Sequence, residues 1–232
     1  MIEAALLALL VAELGWLFLH RAPRPPRELR FRRWAGRAWL RYAATALIVL
    51  LVLGRTDALW TLPAEFDAMV AWLGSAPGDR SVMATYAGGI AGGMVVADAI
   101  AVLRRGRRRW LPDYSYIEAG PGERGWASLL ALSAGLTEEP FFRLVLPLLI
   151  ARVTGDAILA FGLAALLFGL AHRYQGWKGV ALTTLSAAVM TIVYVQTASL
   201  WFVALLHAAI DWNLIVLQPT LVRRFGPGRF SS

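Results

Sequence analysis

Residues 126–151 read WASLLALSAGLTEEPFFRLVLPLLIA, and this stretch decides the fold. A helix of about 20 mostly apolar residues crosses the roughly 30 Å hydrocarbon core of a bilayer. Only Glu138, Glu139 and Arg143 interrupt the stretch with charge. It therefore predicts a membrane-spanning helix that carries charged side chains to the depth of the lipid tails.

Six further apolar segments accompany this one in the 232-residue chain. Hydrophobic residues make up 58% of the sequence and charged residues 16%, whereas soluble domains have about 25% charged residues. The pattern predicts an all-α fold, a polytopic transmembrane helical bundle of about seven spans. A short interfacial helix is expected within 54–80, where apolar residues recur at helical spacing beside acidic ones. The predicted spans are 1–19, 38–53, 81–103, 126–151, 157–171, 179–195 and 200–217.

Basic residues are concentrated in alternate connections between these spans. The net charge is +8, and 19 of the 23 basic residues lie in 20–41, 104–125, 173–178 and the C-terminal tail. Cytoplasmic connections are the ones enriched in Lys and Arg, so the N-terminus is predicted outside and the C-terminus in the cytoplasm. We expect an integral protein of a bacterial cytoplasmic membrane. Its arginines would contact the anionic headgroups of the lipid bilayer, and no nucleic acid is expected as a partner.

Ionisable side chains inside the spans indicate function, because each costs about 2.5–3.5 kcal/mol on insertion scales. Most of them fall in the last 95 residues, which places any chemistry in the C-terminal half. The chain has no cysteine, which excludes disulfides and thiol nucleophiles. The ionisable residues inside or at the end of the predicted spans are Asp98, Glu138, Glu139, Arg143, His172, His207 and Asp211.

The two adjacent carboxylates in 126–151, Glu138 and Glu139, are expected to differ in their partners and roles. Glu139 and Arg143 are four residues apart, so they share a helix face and can pair, which would be a structural salt bridge. Glu138 then points about 100° away, toward another helix. Pro140 removes a backbone hydrogen bond and is expected to kink the helix there. A buried carboxylate without a local partner is suited to act as a general base.

The other two pairs also have a spacing of four. Phe168 and His172 share a face at the end of one span, where the histidine either lies at the membrane interface or holds a water or substrate oxygen. His207 and Asp211 share a face in the last span, and Asp211 is expected to hold one ring nitrogen of His207. The alternative for this pair is a packed contact that joins two helices.

These three pairs together resemble the CPBP family, also called the Abi or CAAX-protease family, of intramembrane endopeptidases. The family pattern is EExxxR, FxxxH and HxxxN or HxxxD on successive C-terminal spans. The resemblance covers about 126–218 and implies a catalytic helical core there. Residues 1–125 would be N-terminal transmembrane helices with basic cytoplasmic loops, and 219–232 a basic cytoplasmic tail. The matching residues are Glu138-Glu139-xxx-Arg143, Phe168-xxx-His172 and His207-xxx-Asp211.

The resemblance implies a glutamate-type protease acting on a membrane-associated or C-terminally hydrophobic or lipidated protein. Glu138, helped by His172, would activate the attacking water, and His207 with Asp211 would stabilise the oxyanion. Asp211 stands where the best-known CAAX proteases have Asn. A charged Asp cannot donate a hydrogen bond, so Asp211 orients His207 or is itself protonated. Supporting roles would fall to Glu139, Arg143 and Phe168.

Three alternatives remain open. No cofactor is expected, but Glu138, His172 and His207 could instead form a three-ligand zinc site. A non-catalytic membrane scaffold, such as a bacteriocin-immunity factor, would keep the fold without cleavage. A proton-coupled transporter would use the intramembrane acids and histidines as a relay that includes Asp98.

Overall fold

The structure, a computed structural model, describes residues 1–19, 26, 29–74, 77–103 and 117–226. Within these residues the secondary structure is helical and contains no strand, so the predicted all-α class is confirmed. The α-helices are α1 Ile2–Leu19, α2 Arg30–Ala38, α3 Ala44–Leu53, α4 Asp67–Leu73, α5 Arg80–Leu103, α6 Arg124–Glu139, α7 Leu146–Thr154, α8 Ala157–Ala171, α9 Gly176–Thr197, α10 Leu200–Trp212 and α11 Gln218–Phe225.

Three π-helical turns join pairs of these helices without breaking the chain's helical path. They are Trp39–Ala43 between α2 and α3, Pro140–Val145 between α6 and α7, and Asn213–Leu217 between α10 and α11. The turn at Pro140 is the form taken by the predicted kink, since a widened turn accommodates the missing backbone N–H. The α-helices other than α4 therefore form seven helical segments, which correspond to the seven apolar stretches of the sequence.

Four of these segments are long and apolar enough to cross a membrane: Arg30–Leu53, Ser81–Leu103, Arg173–Thr197 and Leu200–Phe225. The helix α8 is apolar but shorter. The segment from α6 to α7 holds the centre of the bundle, where every side chain from 139 to 151 is buried. Glu139 and Arg143 are thus enclosed by protein. The chain is an integral membrane protein by these features.

The predicted interfacial helix is α4, which two short 3-10 turns precede, Thr56–Leu59 and Ala64–Phe66. Phe66 is fully buried in the apolar core, whereas Trp60 and Trp72 are exposed. Exposed Trp beside a membrane span is typical of the bilayer interface. This part of the chain therefore covers one end of the bundle, and its location at the membrane surface stays a prediction.

Contacts between segment ends show that successive segments run in alternate directions. At one end, Arg30 donates to the Glu118 carbonyl oxygen (2.9 Å) and Arg223 donates to the Ala119 carbonyl oxygen (2.9 Å). At the other end, Arg152 lies 3.4 Å from Glu3, and the Gly78 amide donates to the Gln196 carbonyl oxygen (3.0 Å). The first of these ends carries the basic connections.

The predicted placement of the two termini on opposite sides of the membrane depends on this alternation. Which end faces the cytoplasm stays a prediction. The basic residues within 20–25, 27–28, 104–116 and 227–232 lie outside the described residues.

Glycines set the closest approaches between helices. A Cβ atom on Gly135 of α6 would overlap the Ala204 carbonyl oxygen of α10 and lie 3.0 Å from the Ala208 amide nitrogen. Small residues allow such backbone contacts between membrane helices. Gly135 therefore fixes how far α6 lies from α10.

Acidification is expected to weaken the ion-pair cluster at the end of the bundle that carries Arg55. Partial burial acts to raise the pKa of the Glu65 carboxyl, but the hydrogen bond from Arg55 (2.6 Å) and the charges of Arg55 and Arg152 lower it below its usual 4.5. A lowered folded-state pKa stabilises the fold above about pH 4.5, and this stabilisation is lost as the pH falls through the lowered value. The effect is about 1 kcal/mol or less, since Glu65 is a quarter exposed.

Thermal unfolding of the detergent-solubilised protein between pH 6 and 3 measures this effect. We expect Glu65→Gln to lower the unfolding temperature at pH 6 and to reduce its dependence on pH. An unchanged pH dependence in this variant would show that the cluster does not contribute.

Candidate active site

A cavity of about 490 Å³ lies between the helices and is lined by five of the seven ionisable residues that the sequence places inside the predicted spans. Glu138, His172, His207 and Asp211 all line it. They come from three different segments, at the end of α6, at the end of α8 and in α10. The structure thus brings the four predicted catalytic side chains to one place.

Glu139 is completely buried beside the cavity and contacts two basic side chains. Its Oε2 lies 3.1 Å from Nε of Arg143, which is the predicted pair at spacing four. Its Oε1 lies 2.6 Å from Nδ1 of His207. The guanidinium of Arg143 also lies over the ring of Phe168, with 4.3 Å between its central carbon and the ring centroid. Glu139, Arg143 and Phe168 therefore form one group of contacts beside the cavity, and their supporting role stays a prediction.

His207 differs from the sequence-based expectation in its main partner. Asp211 was expected to hold one ring nitrogen, but its Oδ2 lies 3.6 Å from Nε2, beyond hydrogen-bond distance. Glu139 makes the close contact instead, on Nδ1. The reason is that α6 and α10 meet closely at Gly135, which brings Glu139 across to His207, while the 29%-exposed carboxylate of Asp211 turns toward the cavity. The close contact expected of Asp211 is thus made by Glu139, and the role of Asp211 stays a prediction.

Glu138 has the environment expected of a reactive carboxylate. Its side chain is half-buried and lines the cavity, and its buried Oε2 makes no hydrogen bond to the described residues. Both His172 and His207 lie within electrostatic range of this carboxylate. Buried polar atoms are nearly always hydrogen-bonded, so an unpartnered carboxylate oxygen facing a cavity requires a functional explanation.

His172 presents one ring nitrogen to the cavity. Its Nδ1 lies 2.9 Å from the carbonyl oxygen of Phe168, a contact that requires the proton on Nδ1. In the neutral ring, Nε2 then has a lone pair that can accept a hydrogen bond. Its ring stacks against Phe168 (centroids 4.6 Å apart) and Tyr174 (5.7 Å), which fix its orientation. His172 can therefore accept a proton or hold a water at Nε2.

The N-terminal half supplies part of the cavity wall, which the sequence analysis missed by placing the chemistry in the C-terminal half. Trp34, Arg37, Arg41 and Tyr42 line the cavity. The ring of Tyr42 packs on Phe141 and Phe142, with centroids 5.2 and 5.3 Å apart. Recurrence of large polar and aromatic residues at spacings of three and four was the available signal in the sequence.

Asp98 lies outside this cavity. Its two carboxylate oxygens accept hydrogen bonds from Asn213 Nδ2 (2.8 Å) and Gln218 Nε2 (2.9 Å). These bonds satisfy the carboxylate inside its span and tie α5 to the last helical segment. The structure therefore does not bring Asp98 together with the acids and histidines that the transport alternative would need.

A zinc site is the other arrangement that the sequence left open. Among the residues that the structure describes, no group of three His, Asp or Glu side chains is close enough to hold a metal ion. The choice between metal-free and zinc-dependent catalysis stays a prediction.

Comparison with known proteins finds a family match for the segment that carries most of the cavity's ionisable groups. Residues 122–213 match the family described as type II CAAX prenyl endopeptidase, Rce1-like. The match includes Glu138, His172, His207 and Asp211 and leaves out the arginines of α2 and the π-helical turn after it. No curated protein and no solved structure matches the chain.

Proposed function

We propose that this chain, which belongs to the Rce1-like family of type II CAAX prenyl endopeptidases through residues 122–213, hydrolyses a peptide bond in a membrane-associated protein. The family supports an intramembrane endopeptidase of the CAAX type. One observation carries the assignment of the reacting group. Glu138, whose buried Oε2 makes no hydrogen bond to the described residues, lines a cavity that two imidazoles from other segments also line.

In the proposed reaction Glu138 removes a proton from a water molecule, which His172 holds through Nε2. The water oxygen bonds to the carbonyl carbon of the peptide and gives a tetrahedral intermediate with an oxyanion. The carbon–nitrogen bond then breaks, and the departing nitrogen takes the proton from Glu138. General-base assistance of this kind contributes about 10²–10⁴-fold to a rate.

His207 supplies the oxyanion contact in this proposal. Glu139 accepts the hydrogen bond from Nδ1 and so keeps the ring in place, while Nε2 faces Asp211 and the cavity. In its protonated, cationic form the ring carries a second proton on Nε2, and it donates this proton in a hydrogen bond to the developing oxyanion. A preorganised donor at this point is worth about 2.7–4 kcal/mol.

The substrate class follows from the lining of the cavity and the description of the family. Apolar side chains such as Leu130, Met190 and Leu214 line the cavity beside the ionisable groups. We propose a substrate with a hydrophobic or prenylated C-terminal segment. A peptide ending in farnesylated Cys-Val-Ile-Met is a suitable probe, since this ending is a farnesylation sequence.

Purified protein in detergent is expected to cleave this probe, with the product followed by mass spectrometry. His172→Ala should lower kcat at least about 100-fold, because the water loses its second contact, while KM changes little. A His172→Ala variant with full activity would remove His172 from the mechanism. Absence of cleavage by the unsubstituted protein, with this and with other prenylated probes, would contradict the proposed function.

Metal removal is expected to leave cleavage unchanged, because the proposed mechanism needs only protein groups. The rate is measured before and after dialysis against EDTA, with 1,10-phenanthroline as a second chelator. A loss that added Zn²⁺ restores would instead establish the zinc site at Glu138, His172 and His207. A loss of cleavage that Zn²⁺ does not restore would indicate damage to the protein by the chelator. The unfolding temperature, measured before and after the treatment, checks for such damage.

A further inference from the structure

Tyr174 lines the same cavity as Glu138 and has no proton or hydrogen-bond role in the mechanism above. It lies in the short 3-10 turn Arg173–Gln175 that joins α8 to α9, two residues after His172. Its ring packs against the ring of His172, with centroids 5.7 Å apart, and against the ring of Trp34 in α2, with centroids 6.2 Å apart. Contacts with two different helical segments therefore hold the tyrosine ring in place.

The hydroxyl group of Tyr174 has a donor that the protein leaves unused. Its oxygen accepts a hydrogen bond from Nε2 of Gln175 (3.1 Å), and no described residue accepts its proton. The hydroxyl lies within electrostatic range of the carboxylates of Glu138 and Asp211, which line the cavity with it. A tyrosine hydroxyl donates and accepts at the same time, so it can donate to a ligand while it keeps the bond from Gln175.

Gln175 is itself held in position and so restricts the direction of that hydroxyl. Its backbone N–H donates to the His172 carbonyl oxygen (2.9 Å) and closes the turn. Its side chain lies against Gly179 in the first turn of α9, where an added Cβ atom would overlap the Gln175 Cβ. The glycine therefore leaves the space that Gln175 occupies. A donor fixed in this way needs no reorganisation when charge develops on a ligand.

The mechanism above supplies only one donor to the oxyanion. His207 donates from Nε2, whereas the carboxylate of Asp211, 3.6 Å from that nitrogen, cannot donate when it is ionised. Oxyanions are stabilised by groups of preorganised donors, and tyrosine hydroxyls are among the side chains that serve. The hydroxyl of Tyr174 is in range both of Glu138, which activates the water, and of Asp211, which lies beside His207.

We propose that Tyr174 is a further catalytic residue, whose hydroxyl donates a hydrogen bond to the carbonyl oxygen of the peptide bond being cleaved. The inference rests on the proposed function, since it takes the reacting group to be a peptide carbonyl. The hydrogen bond strengthens as this oxygen becomes an oxyanion, and Tyr174 keeps its proton throughout. His207 and Tyr174 together then stabilise the charge of the tetrahedral intermediate.

Tyr174→Phe tests the hydroxyl alone, because phenylalanine keeps the ring that contacts His172 and Trp34. With the farnesylated probe we expect kcat to fall about 100-fold and KM to stay within about twofold, since the contact is strongest in the transition state. Tyr194→Phe is the matched control. Its buried hydroxyl also makes no hydrogen bond to the described residues, but Tyr194 does not line the cavity, so kcat should stay unchanged. An unchanged kcat in Tyr174→Phe, or an equal loss in Tyr194→Phe, would overturn the proposal.

Analogues that cannot be cleaved test the same contact by binding alone. A phosphinate replaces each of the three peptide bonds of farnesylated Cys-Val-Ile-Met in turn and puts a charged oxygen in the place of the oxyanion. A CH₂–NH link at the same position has no such oxygen. Affinities are measured in neutral detergent by isothermal titration calorimetry.

In Tyr174→Phe the phosphinate that binds the unsubstituted protein most tightly should bind about 100-fold more weakly, because a transition-state analogue loses what the transition state loses. The affinity of its CH₂–NH counterpart should change less than about twofold. An equal loss for both analogues would show that the hydroxyl acts on the fold or on general binding, and it would overturn the proposal.

The two experiments also separate this inference from the proposed function. Cleavage by the unsubstituted protein that Tyr174→Phe does not slow would refute the role of Tyr174 and leave the endopeptidase assignment standing. A selective loss of phosphinate binding in Tyr174→Phe, without cleavage of the probe by the unsubstituted protein, would refute the endopeptidase assignment and leave the hydroxyl contact standing.

Discussion

Replacing Glu138 by glutamine is expected to lower the rate of peptide hydrolysis by at least about 10³-fold without unfolding the protein. The amide cannot take a proton from water, and general bases contribute about 10²–10⁴-fold. The fold should tolerate the change because Oε2 makes no hydrogen bond to the described residues. The measurement is kcat for the farnesylated probe together with the unfolding temperature in the same detergent.

The adjacent carboxylate provides the comparison that separates reaction from support. Glu139 is fully buried between Arg143 and His207, so Glu139→Gln removes one partner of a buried ion-pair cluster. Such a loss costs about 3–5 kcal/mol, and the unfolding temperature should fall along with activity. Glu138→Gln should affect the rate alone. Full activity in Glu138→Gln would remove the proposed base, and a cellular phenotype that survives this change would favour the scaffold alternative.

Local features of the fold and site were predictable because they depend on spacing along the helices. The apolar stretches correspond to the seven helical segments, and the Glu139–Arg143 pair forms at the distance that a spacing of four permits. Pro140 distorts its helix because a missing N–H acts within one turn. The family resemblance of the three motif pairs agrees with the match of residues 122–213 to the Rce1-like family.

Contacts between distant helices could not be predicted in the same way. His207 and Glu139 are 68 positions apart, and nothing in either local sequence selects Glu139 over Asp211 as the closer partner. Asp98 finds its partners Asn213 and Gln218 more than 100 positions away. These contacts depend on how far each helix is rotated and how closely it approaches its neighbour, and that follows from packing of small residues across the whole bundle.

Gly135 packs against α10 one helical turn before Glu139, and Gly135→Ala is expected to have a large structural effect for a single added methyl group. The added carbon would overlap the Ala204 carbonyl oxygen and crowd Cβ of Ala208 at 3.1 Å. Backbone cannot rotate aside as a side chain does, so α6 and α10 must separate. Overpacking costs typically about 1–3 kcal/mol, and we expect about 3 kcal/mol here because the clash is with backbone.

The same separation moves Glu139 away from His207 and tilts the oxyanion donor out of line. A misplacement of about 1 Å can cost about 100-fold in rate, so kcat in Gly135→Ala should fall by about that factor. Gly162→Ala in α8 is the matched control, since a Cβ there meets nothing within 4 Å and should leave both rate and unfolding temperature unchanged. If Gly135→Ala were as active and as stable as the unsubstituted protein, the close approach of α6 and α10 could not be what positions Glu139 against His207. Each variant adds one methyl group to a glycine inside a helix, so a difference between them reports the helix contact and not the loss of a glycine.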